Sequence, residues 1–262
     1  MKLSVSNIGW ANDNDLKVYG LMKDYGFSGL EVAPTRIIPD DPYEQSDIAK
    51  SWVDYIQQTH GFVISSMQSI WFGRTEKVFG SEEERCILLE YTKKAIDFAK
   101  ILGCHNLVFG CPRNRSLSND MKPEDSLLFF QQIGDYAFEN DCVVAMEANP
   151  PIYNTNFINT TEQALDFIKL VNSKGLLLNL DVGTMIENRE DVSVLAGNEK
   201  FIHHVHISEP YLRPIEKREL HNELALLLKN ANYTGFVSIE VGKQDCISNL
   251  AAMMEYVKGV FD

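Results

Sequence analysis

Eight short apolar runs rich in β-branched residues recur along the chain: LSVSNI from Leu3, GLEVA from Gly29, FVISSM from Phe62, NLVFG from Asn106, CVVAME from Cys142, LLLNLD from Leu176, IHHVHI from Ile202 and FVSIEV from Phe236. Each has the length of a strand. The 233 residues from the first start to the last give a mean step of about 33, room for a strand, a helix and two short loops. Helical periodicity fills the steps. In LLEYTKKAIDFAKIL, residues Leu88, Leu89, Tyr91, Thr92, Ala95, Ile96, Phe98, Ala99 and Leu102 share one broad apolar face. Ser81 with Glu84 makes a capping-box pattern ahead of that helix, and Thr160 with Gln163 repeats the signal before ALDFIKLV. Gly103 and Gly175 stand where helices should stop.

Alternating strands and helices pair in parallel through right-handed crossovers. Eight such units closing on themselves predict an α/β fold of the (β/α)8 TIM-barrel type, a parallel eight-stranded closed sheet in one domain over residues 1–262. The alternative, an open doubly wound sheet, lacks its signature, because neither G-x-G-x-x-G after a strand nor a P-loop occurs. The longest irregular stretches, Ser69 to Gly80, Gly110 to Pro123, Asn149 to Asn159 and Ser208 to Glu219, all follow strands. A barrel gathers such loops on its C-terminal face, where ligand sites are built.

Composition narrows the function. With 45% hydrophobic and 23% charged residues, the chain can bury a sizeable core. The 24 Lys and Arg against 37 Asp and Glu leave a net charge of -13, which repels phosphate backbones and anionic lipid, so neither nucleic acid nor membrane is expected as a partner. No apolar run approaches the roughly 18 residues of a membrane span, and MKLSVSNIGWANDND turns polar too soon for a secretory signal. A cytoplasmic location follows as the expectation. Five scattered cysteines without a C-x-x-C pair predict reduced, mostly buried thiols.

Four late strands finish with metal-competent side chains: Glu147 in VVAMEANP, Asp181 in LLLNLDVG, His206 in HHVHISEP and Glu240 in FVSIEVG. A carboxylate after several apolar strand residues needs compensation, since burying it unpaired costs several kcal/mol. For any one of them, capping the next helix or pairing with a loop arginine is compensation enough. Four on consecutive strand ends point instead to one divalent ion. Three carboxylates and an imidazole make a mostly oxygen site that suits Mn2+, Mg2+ or Co2+, with Zn2+ as a further option.

With these residues the chain resembles the xylose isomerase-like barrel superfamily of sugar isomerases and epimerases, typified by ketose 3-epimerases and hydroxypyruvate isomerase. The resemblance covers essentially the full chain and is carried by GFSGLEV, MEANP, LNLDVGTM, HVHISEP with Arg213, and NYTGFVSIEV. It implies a metal site on Glu147, Asp181, His206 and Glu240, with both glutamates also serving as acid and base, and a homodimer or homotetramer. Two positions depart from the family pattern: Thr184 replaces a substrate-contacting histidine, and Arg213 falls one residue later than the usual arginine. The implied chemistry is proton transfer through an enediolate of a sugar or sugar phosphate, giving isomerisation or epimerisation. A metal-dependent dehydratase of the inosose or dehydroshikimate type and a non-catalytic sugar-binding barrel are the alternatives. An abasic-site endonuclease would need more than the six histidines present. No lysine ends a strand, which disfavours Schiff-base chemistry.

Arg213, Glu209, Asn149, Trp71, Arg113 and His221 are the candidate substrate contacts. Arg36, Arg74, Arg113, Arg115 and Arg213 all fall in loops after strands, which suits an anionic substrate as well as it suits pairing with the abundant acids. Trp71, Phe72 and Tyr153 can wall the pocket or pack on the barrel rim. On β alternation His204 shares a face with His206 one layer deeper, as a hydrogen-bonded core residue, while His203 should lie under a helix. His221 reads as a solvated helix-start residue that can approach the site. Glu31 ends the second strand, placed to orient substrate or a loop arginine, and Cys111 reads as a small packing residue.

Overall fold

Every one of the eight apolar runs forms a strand in the computed structural model, which describes residues 1–118 and 120–262. In chain order the elements are β1 (Lys2–Ser6), α1 (Asp15–Tyr25), β2 (Gly29–Val32), α2 (Pro34–Ile37), α3 (Ser46–Tyr55), β3 (Val63–Met67), α4 (Glu82–Leu102), β4 (Asn106–Phe109), α5 (Leu127–Glu139), β5 (Val143–Glu147), α6 (Thr161–Val171), β6 (Leu176–Asp181), α7 (Val182–Asn188), β7 (Ile202–Ile207), α8 (Glu219–Asn230), β8 (Phe236–Ile239) and α9 (Ile247–Phe261). Each strand runs parallel to its neighbour, and β8 closes on β1 through pairs such as Val5 with Ile239, giving the (β/α)8 barrel. Among the described residues no helix is long and apolar enough to cross a membrane.

Alternation along the strands divides the core in two. Residues such as Leu30, Leu107, Phe109, Val144, Met146, Leu180, Val205 and Ile239 are buried between sheet and helices. Phe109, for example, meets Phe130 of α5 edge-on at 5.1 Å. The other face is polar. Ser4, Ser6, Glu31, Ser66, Asn106, Glu147, Asn179, His204, His206 and Ser238 are all buried, where most barrels fill the interior with Val, Ile and Leu. They hold one another by hydrogen bonds such as Asn106 to Ser66 at 2.9 Å and Ser4 to Ser65 at 2.5 Å.

Two register shifts tune that interior. One lies between Leu30 and Glu31 where β2 meets β3, so that Glu31 pairs with Ser66; the other lets Asn179 pair with His204 and leaves His203 as the extra residue of β7. A bulged residue can be re-aimed out of the alternation. His203, expected under a helix, therefore reaches Asn106 of the non-adjacent β4 at 2.7 Å, across the N-terminal end of the barrel.

Helix ends follow local chemistry. Ser81 and Glu84 form a complete capping box at α4, and the Thr160 side chain accepts from the Gln163 N–H at α6. Gly103 stops α4 in a left-handed conformation, φ 65°. The stop of α6 is different from the expectation: Asn172 takes the left-handed position, φ 54°. Gly175 instead marks close packing, since a Cβ there would lie 2.0 Å from the Gly134 carbonyl oxygen of α5. Of the five free cysteines only Cys104 and Cys142 are fully buried, while Cys86 and Cys246 are exposed.

The two glycine environments predict opposite outcomes. Gly175→Ala forces α5 away from β6 and should cost about 2 kcal/mol or more, as overpacking does. Gly20→Ala, in α1 with nothing near its added Cβ, should stabilise by about 0.5–1 kcal/mol. Urea unfolding of both variants checks the contrast, and equal midpoints would contradict it.

Candidate functional site

Glu147 and Asp181 are the last residues of β5 and β6, His206 lies one residue from the end of β7, and Glu240 directly follows β8. Register brings them level, with Glu147 beside Asn179 and Asp181 beside His206. One ligand atom from each of the four lies within 4.8 Å of all the others. His206 Nδ1 is 3.1 Å from Glu147 Oε2 and 3.2 Å from Glu240 Oε2. Local bonds hold the acids in place. Asn149 and Asn179 donate to the two oxygens of Glu147 at 2.9 and 2.7 Å. Asp181 Oδ2 caps α7, accepting from the Thr184 N–H at 2.8 Å and its hydroxyl at 2.7 Å, and Oδ1 accepts from the Ser208 hydroxyl. The helix-capping role and membership of the cluster thus coexist in one residue.

The electrostatics mark an excess of negative charge. Burial pushes the Glu240 carboxyl up to about 7 against the pull of His206, and burial with Glu147 nearby raises Asp181. Burial opposes the His206 imidazolium, yet Glu240, Glu31 and Glu147 around it hold it well above its ordinary value. Three nearly buried carboxylates converging on one imidazole form a donor set that a hard or borderline divalent cation compensates.

A cavity of about 140 Å3 opens beside the cluster, lined by Glu147, Asp181 and Glu240 with Asn149, Tyr153, Ser208, Glu209, Leu212 and Pro112. A hollow of about 1040 Å3 outside the barrel, by Ile202, Leu227 and Tyr233, is larger but holds none of the strand-end acids. The chemistry selects the smaller one.

Of the expected substrate contacts, Asn149 and Glu209 line this cavity and four do not. Trp71 is buried between sheet and helices, donating its indole N–H to Thr92 of α4 at 2.9 Å and meeting Phe109 edge-on at 4.7 Å. Its apolar surface is worth more there than at a wet mouth. Arg113 is exposed, and Arg213 turns back so that its Nε donates to the Pro210 carbonyl at 3.2 Å. His221 is neither solvated nor in the pocket: it is buried in α8, with Nδ1 2.9 Å from the Tyr256 hydroxyl of α9. The remaining loop arginines are committed to architecture. Arg36 pairs with Asp15, Arg74 with Glu76, and buried Arg115 donates to the Glu147 carbonyl and Asn149 Oδ1, each at 2.8 Å. Of the loop aromatics, Tyr153 lines the cavity while Phe72 is 69% exposed.

Two features escaped the sequence. Arg218 binds Glu209 through both carboxylate oxygens, at 2.7 and 2.6 Å. Glu31 meets His204 and His206 rather than a loop arginine, each Nε2 lying 2.9 Å from its Oε2. The signal for Glu31 was available as a fourth carboxylate at a strand end, and alternation already put His204 and His206 on the inner face it shares.

Fold and cluster together define a closed parallel barrel whose mouth carries a metal-competent set of acids and one histidine. The chain belongs to the xylose isomerase-like TIM barrel family, whose model matches residues 20–257. Its fold is similar to that of 3-keto-D-glucoside 4-epimerase from E. coli (18% identity, 99% of each chain, TM-score 0.77) and D-psicose 3-epimerase from Clostridium cellulolyticum H10 (15% identity, all of each chain, TM-score 0.79). It is also similar to the probable 3-DHS dehydratase from Bacillus anthracis (15% identity, 99% of this chain and 98% of that one, TM-score 0.69). Identities this low speak to the fold alone. No curated protein matches the chain by sequence.

The burial of His221 predicts a pH effect. Burial pushes its pKa from 6.5 down to about 4, so the unfolded chain takes up a proton that the folded protein refuses. Stability is full above pH 6.5 and is lost as pH falls from 6.5 towards 4, by at most about 3 kcal/mol from this residue. His221→Phe should flatten that part of the stability curve. Parallel curves for the two proteins in urea unfolding at pH 7 and pH 4 would refute the assignment.

Proposed function

We propose that the protein is a divalent-metal-dependent sugar isomerase or epimerase that moves a proton through an enediolate. The observation that carries this reading is the convergence of Glu147, Asp181, His206 and Glu240 within 4.8 Å, facing a cavity. The donor set fits Mn2+, Mg2+ or Co2+, and these four residues would hold it. When bound, the ion supplies Lewis-acid stabilisation of negative charge developing on substrate oxygens.

The protein's own residues supply the rest. Glu147 is held by Asn149 and Asn179 through both oxygens, so it is the fixed carboxylate of the pair. Glu240 has His206 as its side-chain partner and is the freer one. Coming from β5 and β8, the two offer separate positions from which a C–H proton is removed and returned. Tyr153 and Leu212 cover the cavity, and the Tyr153 hydroxyl is fixed by accepting the Tyr211 N–H at 2.8 Å.

The lining also speaks to substrate charge. Four acids, Glu147, Asp181, Glu209 and Glu240, line the cavity, and among the described residues no lysine or arginine does. Arg218 is spent on Glu209. A neutral polyhydroxylated sugar therefore suits the site better than the phosphorylated substrate that the loop arginines suggested. The dehydratase reading shares the same residues and has a fold relative in its favour.

Incubation with neutral ketoses in deuterated water separates these readings: epimerisation or isomerisation incorporates solvent deuterium, whereas dehydration releases water. Glu147→Gln and Glu240→Gln should each retain metal and lose roughly 100- to 10,000-fold in kcat, the usual contribution of a positioned proton-transfer group. Chelator treatment should abolish turnover and Mn2+ should restore it. Near wild-type turnover in either glutamine variant with metal bound would refute the acid–base roles.

A further inference from the structure

Two clusters of potential ligands share His206: the four-residue set at the mouth, and Glu31 with His204 beneath it. They are not equivalent. Glu31 is fully buried, and its Oε2 is approached by both imidazole Nε2 atoms at 2.9 Å. Its Oε1 accepts from Gln68 Nε2 at 3.1 Å, and the same amide donates to Ser6 at 2.7 Å. Three donors thus surround one carboxylate. Glu31 meets the Nε2 edge of His206, whereas the cavity-lining Glu147 and Glu240 meet its Nδ1 edge.

His206 has two nitrogens with different tasks. Nδ1 faces Glu147 and Glu240 within 3.2 Å, so it is the nitrogen available to a cation. A nitrogen that ligates must present a lone pair, and a neutral imidazole then carries its single proton on the other nitrogen. Here that is Nε2, against Glu31.

We infer that Glu31 is a positioning residue: it holds the Nε2–H tautomer of His206, fixes the plane of the ring, and so presents Nδ1 to the metal without itself being a ligand. This inference rests on the metal-site reading given above. His204 supports it from the side. Its ring stands nearly perpendicular to that of His206, 86° at 5.3 Å, and its own Nε2–H to Glu31 Oε2 is a second bond from β7 that keeps the carboxylate against His206. A hydrogen-bonding carboxylate behind a ligating histidine raises the ligand's basicity and commonly contributes 10- to 100-fold in metal affinity. Glutamine cannot do the same, because its oxygen carries no charge and is the weaker acceptor for the two imidazoles, while its NH2 opposes the Gln68 donor.

The experiment uses the intact protein stripped of metal. Mn2+ titration followed by electron paramagnetic resonance compares wild type, Glu31→Gln and Asp181→Asn. Glu31→Gln should bind Mn2+ about 10- to 100-fold more weakly while thermal melting of the metal-free protein confirms that it is folded. A role in stability alone would shift the melting temperature and leave the affinity of the folded protein unchanged. A second measurement needs no variant. In Zn2+-loaded wild type labelled with 15N in its histidines, His206 should show a protonated Nε2 with a low-field proton and a metal-shifted Nδ1. Zinc on Nε2, a proton on Nδ1, or an unchanged Mn2+ affinity in folded Glu31→Gln overturns the role of Glu31 and leaves the metal site standing. Failure of wild type to take up either ion overturns both.

Discussion

Ionised carboxylates taken out of water must be compensated by donors or cations, and the rest of this barrel is arranged around four of them. Glu31, Glu147, Asp181 and Glu240 surround the single imidazole of His206. An interior of Val and Ile would leave each charge unpaired at a cost of several kcal/mol. The polar strand faces supply what such an interior lacks. Asn149 and Asn179 serve Glu147, Thr184 and Ser208 serve Asp181, and Gln68 with two histidines serves Glu31. Even so, Asp181 and Glu240 are held above their ordinary range. Donors from the chain compensate part of the charge, and the remainder is what a cation would compensate in the proposed reading.

The architecture was legible because it depends on short-range regularities. Eight apolar runs at an even step become eight strands, and the Ser81–Glu84 and Thr160–Gln163 signals become helix starts, since caps and alternation are decided within a few residues. The four mouth residues were legible for a related reason: barrel topology places every strand end on one rim, so position along the strand is enough to bring them together. What depended on register was not legible. One bulge turned His203 inward, and nothing in IHHVHI separates a bulged strand from a regular one. Gly175 was misread in the same way, because its requirement comes from Gly134 on a different element.

Arginine was the poorest guide. Five of these side chains in strand-end loops suited anion recognition and pairing with acids equally, because position in a loop says nothing about direction. Arg115 turned inward to tie β5 to the loop that precedes α5, and Arg36 and Arg74 found acids on their own rim. In a chain of net charge -13 carboxylates outnumber cations, and an arginine already paired with an acid or a carbonyl is removed from a ligand's service. Glu209 and Arg218 show the outcome at the site's edge: Glu209 lines the cavity and both its oxygens accept from Arg218, so the pair is neutral as a unit.

That neutral pair bears on how the chain departs from its family's pattern. Thr184, where the resemblance implied a histidine, shares its single hydroxyl proton between Asp181 Oδ2 and the Ala148 carbonyl and has no donor left for a ligand. Arg213, one residue late, faces outward, and the position before it is Leu212, which lines the cavity. Tyr211 and Leu212 reach that arrangement through left-handed backbone, φ 62° and 53°, a conformation that side-chain-bearing residues adopt only when their surroundings impose it. The Tyr153 hydroxyl accepting the Tyr211 N–H, and the Leu212 carbonyl accepting the Gly242 N–H at 2.8 Å, are those surroundings. Leu212 and Tyr153 so held line the cavity of about 140 Å3 beside Glu147, Asp181 and Glu240. In the proposed reading, discrimination among hydroxylated substrates falls to Tyr153, Leu212 and Glu209, the residues that line the cavity beside the strand-end acids.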